Sequence, residues 1–147
     1  MSFTVELLKG IARMLADNSI GEWSDDPQFV YTGALPAITL KRVPADPDVA
    51  IVLSAYGGPD HEYLPMGDVN VQIRVRGARN APTGPEETLD AIFDLLHNAR
   101  YVALVPGIAP VSRIHRKSTV PMGVDGNNRW EVADNYKVFA SHPTQNR

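Results

Sequence analysis

Pro121-Met122-Gly123-Val124-Asp125-Gly126-Asn127-Asn128-Arg129 leads into Trp130-Glu131-Val132-Ala133-Asp134-Asn135-Tyr136-Lys137-Val138, and this stretch decides the fold. Asp125-Gly126 offers residues suited to the positive φ of a tight turn. Apolar residues then recur at about every second position, the period of a strand with one buried face. Trp130, Val132, Tyr136, Val138 and Ala140 fall on that face, with an irregularity expected near Ala133-Asp134. No group in the block is suited to covalent chemistry. A turn feeding a long strand predicts a chain that works by pairing and packing.

Three further strands precede it. Ala37–Val43 alternates apolar with polar residues, and Val49–Tyr56 is almost continuously apolar, as a central strand should be. Val69–Arg76 is the clearest, with Val69, Val71, Ile73 and Val75 facing one way and Asn70, Gln72, Arg74 and Arg76 the other. Tyr101–Val105 and Pro110–Lys117 read as two more. Two segments have the helical period instead. Residues 3–17 place Leu8, Ile11, Ala12 and Leu15 on one face behind a Ser2 N-cap. Thr83-Gly84-Pro85-Glu86-Glu87 opens a second helix with proline at its first position and acids at the positive end of the dipole. Leu89, Ile92, Phe93 and Leu96 form its buried stripe. The expected order is α-β-β-β-α-β-β-β. It predicts an α+β domain, a mainly antiparallel sheet of four or five strands with two helices packed on one face.

At 147 residues the chain reads as a single domain, spanning 1–147, able to bury roughly two-thirds of its unfolded surface. It has no cysteine, which excludes disulfides, thiolate zinc sites and a cysteine nucleophile. No apolar run approaches the length of a membrane span, and the N-terminus lacks a secretory pattern, so a cytosolic product is expected. The net charge of −3 disfavours a dedicated nucleic-acid binder. Its distribution is uneven: residues 1–68 hold 4 basic and 10 acidic side chains, residues 69–147 hold 10 and 7. Two solvated faces would account for this. So would opposite poles that dock neighbouring copies head to tail.

Catalytic constellations are sparse. No phosphate loop, dinucleotide fingerprint, nucleophile elbow or zincin motif is present. Asp60-His61-Glu62 is the one histidine–acid cluster, in a glycine- and proline-rich loop spanning 57–67. Adjacent side chains of an extended segment alternate, so His61 would point away from the two carboxylates, and a solvated loop is the plainer interpretation. Asp125-Gly126-Asn127-Asn128 looks superficially like a calcium loop, but Tyr136 stands where the closing glutamate should be. The basic row Arg74, Arg76, continued by Arg79, and the second basic stretch Arg113, Arg116 and Lys117 are candidates for meeting carboxylates or phosphates. With no aromatics interleaved along the row, base stacking is not expected.

Three segments carry a family resemblance: Val71-Gln72-Ile73-Arg74-Val75-Arg76-Gly77, Asp90-Ala91-Ile92-Phe93-Asp94-Leu95-Leu96-His97, and Pro121-Met122-Gly123 with Arg129-Trp130-Glu131 and Asp134-Asn135-Tyr136. In order and separation, from the first helix to His142-Pro143-Thr144, the chain resembles the tail terminators of long-tailed bacteriophages, especially those infecting actinobacteria, often labelled minor tail or minor capsid proteins. Residues 18–68 add little to the likeness. The resemblance implies a virion protein at the tail-neck junction, made in the host cytoplasm, with no enzymatic activity and no cofactor or metal. It implies a homo-oligomeric, hexameric ring that caps the tail tube, stops its polymerisation and joins it to the head-tail connector or stopper. DNA would pass through the channel without sequence-specific binding. Arg74, Arg76, Arg79, Arg113, Arg116 and Lys117 are then expected at inter-subunit or channel-facing surfaces. Asp60, His61, Glu62 and Tyr63, with Asp125, Asn127, Asn128 and Arg129, are expected to contact axial partners. Rival interpretations are another neck component (a head-tail stopper or adaptor), a tail tube subunit, and a small cytosolic metal-dependent enzyme built on Asp60, His61 and Glu62.

Overall fold

The computed structural model describes residues 2–146. Helix α1 spans Phe3–Asp17, strands β1 to β3 span Ala37–Leu40, Ala50–Asp60 and Met66–Arg76, helix α2 spans Gly84–Leu96, and strands β4 and β5 span Arg113–Val124 and Trp130–Ser141. The strands form one five-stranded sheet in the order β1-β2-β3-β5-β4. Every neighbouring pair is antiparallel except β1 and β2, which run parallel.

Both helices lie on one sheet face and seal a single core. The Ser2 hydroxyl accepts from the Val5 N–H at 3.3 Å, capping α1 where Ser2 predicts it. The α1 stripe Leu7, Leu8, Ile11 and Leu15 is buried against β1 and β2, and the α2 stripe Leu89, Ile92 and Leu96 against β3, β4 and β5. From the sheet, Ile51, Leu53, Val71, Ile73, Val75, Ile114, Val132 and Val138 meet them. Each such aliphatic side chain contributes on the order of 2 kcal/mol when fully buried.

Six local expectations change. β4 starts at Arg113 and runs to Val124, so it replaces the expected Pro110–Lys117 and takes in residues 121–124 from the expected turn. Tyr101–Val105 is no strand; it makes one isolated bridge, Val102 with Val111, because Asn98 and Tyr101 sit at φ 66° and 55°, where extended backbone is impossible. The order is therefore α-β-β-β-α-β-β. β1 stops at Leu40 rather than Val43, since Lys41 takes φ 66°. The loop assigned to 57–67 is largely strand: β2 runs on to Asp60 through an irregularity after Gly57, leaving a short turn before Met66. In the 125–129 turn the positive φ belongs to Asn128 at 60°, not to Asp125-Gly126.

The sixth change concerns Asp134. No irregularity occurs in β5 at Ala133-Asp134; its pairing to β3 is unbroken from Glu131 to Ser141. The register shifts lie in β4 instead, between Arg116 and Ser118 and between Pro121 and Val124. Strict alternation consequently turns the Asp134 side chain inward, in line with Val132 and Tyr136, where it is completely buried.

Candidate assembly surfaces

Strand β3 sets the long dimension of the molecule. Met66 pairs with Ser141 at one end and Arg76 with Glu131 at the other. The β2–β3 turn and the β4–β5 turn therefore sit at opposite ends of the sheet, about 33 Å apart along an 11-residue strand. They differ in chemistry.

The β2–β3 end is apolar and outward. Tyr63 is 75% exposed, and Leu64 and Met66 are exposed beside it. His61 shapes the turn: its Nδ1 accepts from the Tyr63 and Leu64 N–H groups at 3.1 and 2.9 Å. That orientation directs the Nδ1 side of the imidazole at its own backbone. Among the described residues no group of three histidine or acidic side chains could hold a metal ion.

The β4–β5 end is polar and tied down. Asp125 accepts from the N–H groups of Asn127 and Arg129 at 2.9 and 3.0 Å and from Arg129 Nε at 2.8 Å. Partial desolvation opposes its charged form, but these hydrogen bonds outweigh it and hold its pKa below the usual carboxylate range. Asn128 donates through its side chain to Asn80. Arg129 is only 7% exposed and reaches across to Asp48 Oδ1 at 3.0 Å.

Arg129 shares this clamp with Arg76. Arg76 is 4% exposed; it donates to the carbonyls of Pro44, Pro47 and Asp48 at 2.6, 2.9 and 2.7 Å. Arg79 approaches the Asp48 carboxylate at 3.3 Å. Together they pin the β1–β2 crossover, residues 41–49, to the end of the sheet. A crossover without regular ladder partners would otherwise leave these carbonyls unsatisfied. Arg76 thus departs from the exposed row in which the sequence places it, as does Asn70, likewise buried. Arg74 stays half-buried and pairs with Glu131 at 2.7 Å.

The second basic stretch divides between the two sheet faces. Alternation with the buried Ile114 puts the Arg116 side chain on the helix side, where it meets Asp134 at 3.3 Å and lies 4.0 Å from the Phe93 ring. Arg113 and Lys117 remain on the open face with His115 and Lys137. There Phe139 is a platform for three basic groups: the Arg113 guanidinium at 4.8 Å, the Lys137 ammonium at 5.6 Å, and the stacked His115 ring at 5.7 Å. Lys137 is neutralised by Asp68 at 3.4 Å; Lys117 holds only the neutral Asn70, at 3.1 Å. Neither Arg113 nor Lys117 has a carboxylate within ion-pair distance among the described residues.

Sequence reasoning missed this platform, the buried Asp134 and the two-arginine clamp. A signal existed for Asp134: its parity with Val132, Tyr136 and Val138 puts it inside whenever the strand is regular. No comparable signal exists for Arg76, whose acceptors are backbone carbonyls 28 to 32 residues away, or for the reach of Arg129 to Asp48, 81 residues away.

The chain is thus a small two-layer domain with chemically distinct ends and faces. The family of bacteriophage tail terminator proteins matches residues 14–140, and the chain belongs to that family. A chain of a native gene transfer agent virion has the same fold, with a TM-score of 0.61 over 95% of this chain and 99% of that one, at 13% identity. A second solved chain aligns over 97% of this one and 100% of its own length at 16% identity, with a TM-score of 0.47. No curated protein matches the sequence. The protein is therefore a phage tail structural protein. None of its described helices is long and apolar enough to cross a membrane.

Proposed function

We propose that this protein forms a ring, hexameric by the family likeness, that caps the tail tube at the tail-neck junction. The cap stops tube polymerisation and presents a surface to the head-tail connector. The match to tail terminators over residues 14–140 carries this interpretation. The structure supports it through the separation of the two turns. A cap needs one end that fits the last tube ring and a second end that a further tube subunit cannot use. Placing an apolar turn at one end of β3 and a stapled polar turn at the other supplies that asymmetry.

The axial contacts fall to Glu62, Tyr63, Leu64 and Met66 at one end and to Asn127 at the other. Arg76 and Arg129 hold the second end in shape instead of touching a partner. A rigid turn adds little ordering cost on docking, and exposed aromatic and aliphatic side chains supply the contact energy. Faces of the two-layer domain are left for neighbours around the ring, with DNA passing through the channel.

The test is electron microscopy of the purified protein, alone and mixed with isolated tail tubes. Rings that seat at one tube end only, and fail to seat when Tyr63→Ser and Leu64→Ser are combined, are expected. Binding all along the tube, or at neither end, would overturn the assignment.

A further inference from the structure

Helix α2 carries an acidic outer face that its own chain does not explain. Glu86, Glu87, Asp90 and Asp94 are all exposed, and the helix contains no lysine or arginine. None of the four makes an ion pair among the described residues. The helix dipole accounts for Glu86 and Glu87, which lie in the first turn, where negative charge is favourable. It does not account for the other two. Asp90 sits four residues from both Glu86 and Asp94, a like-charge spacing that weakens a helix. Asp94 lies in the last turn, beside the negative end of the dipole, and no basic residue accompanies it. Local physics disfavours this arrangement.

On the opposite face of the same two-layer domain lies its complement. Arg113 stands over the Phe139 ring on the open side of β4 and β5, Lys117 lies further along β4 against Asn70, and no carboxylate of the described chain neutralises either. An acidic helix on one face and an uncompensated cationic patch on the other cannot meet within one molecule. Between two copies they can, and the contact is heterologous, closing into a ring when its rotation divides a full turn.

We propose that the outer face of α2, through Asp90 and Asp94, docks on the Arg113–Lys117–Phe139 patch of the next copy. The inference rests on the ring proposed above and names its lateral interface. A second copy is the favoured occupant because the acidic surface that fits the patch is present in the chain itself, four carboxylates to a 13-residue helix. Duplex DNA is the competing occupant, and the test separates the two.

The full-length chain is compared with two variants, D90K/D94K and R113E/K117E, by mass photometry, with thermal melts confirming that each is folded. Lysine at 90 and 94 is compatible with the later turns of the helix, and all four positions lie outside the core. Each variant alone is expected to lose assembled species by at least about tenfold, the penalty of opposed like charges across an interface. Their equimolar mixture is expected to reassemble, because the reversed helix of one matches the reversed patch of the other. Wild type that assembles while both variants assemble equally well overturns this interface and leaves the ring standing. Wild type that stays monomeric overturns the ring and the interface together. R113E/K117E that assembles normally but loses salt-sensitive retention on duplex DNA overturns it in favour of a phosphate-facing patch.

Discussion

Arg116 on β4 reaches across to β5 to place Nη1 3.3 Å from Oδ2 of Asp134, a carboxylate with no solvent exposure. Thr119 donates its hydroxyl to Oδ1 of the same carboxylate at 2.6 Å. The pair is asymmetric: the Arg116 side chain keeps 30% of its surface in water and Asp134 none. Losing either partner therefore has different consequences, because only the aspartate is stranded when its partner is removed.

Arg116→Met is expected to cost about 3 kcal/mol, leaving a buried carboxylate with one neutral donor. Asp134→Asn is expected to cost less, about 1 kcal/mol, because Arg116 turns to solvent and the amide still bonds Thr119. Chemical denaturation of the two variants decides the order. Equal losses would show that Asp134 is not sealed under α2.

Tyr136 stands beside Asp134 in the same inward row. Its hydroxyl is buried without a hydrogen-bond partner among the described residues. Burial first, with Asp134 and Asp90 adding to it, pushes the phenol pKa well above its ordinary value, so the group is neutral. Tyr136→Phe removes an unsatisfied polar atom at almost constant volume. Stability should rise by about 1 kcal/mol, a gain of roughly 3 °C in melting temperature for a chain of this size. A loss comparable with that of Arg116→Met would reveal a partner for the hydroxyl.

Gly10 lies inside α1, where alanine would ordinarily gain about 1 kcal/mol of helix propensity. A Cβ there would strike the Leu104 carbonyl oxygen, part of the backbone segment that crosses the helix. Gly10→Ala is expected to destabilise by about 2 kcal/mol net, since a backbone carbonyl cannot swing aside as a side chain can. A thermal melt at or above that of wild type would contradict the close approach of the two segments.

His115 should make stability fall on mild acidification. Burial, followed by the charges of Arg113 and Lys137, the neighbouring His97 and then Lys117, lowers its pKa below the ordinary 6.5. The unfolded chain binds the proton first, so this contribution is intact above pH 6.5 and declines as the pH drops below it toward the folded value. His115→Gln should flatten the stability profile in that window, measured by urea midpoints. An unchanged slope would show that His115 titrates alike in both states.

Much of the architecture was legible from periodicity. Residues 3–17 and 69–76 have clear 3.6- and 2-residue patterns, 130–141 has a 2-residue pattern that looks broken at Ala133-Asp134, and each is the element predicted. What failed was local. Tyr101–Val105 has strand composition, yet the positive φ of Tyr101, that of Asn98 just before it, and the burial of Leu104 and Val105 make it a packed loop. The candidate surface residues were harder to place. Arg116 shares the parity of Ile114 and so faces the core, but where β4 goes beyond it depends on an extra residue between Arg116 and Ser118, a bulge that no single-residue propensity reveals. The α2 carboxylates, by contrast, could be read directly: a helix with four acids and no base announces itself in composition.

The most direct test of the central claim is tail length in particles assembled without this protein, measured by electron microscopy. The account predicts tubes that grow past the normal length and remain detached from heads. Tails of normal length joined to heads would contradict it.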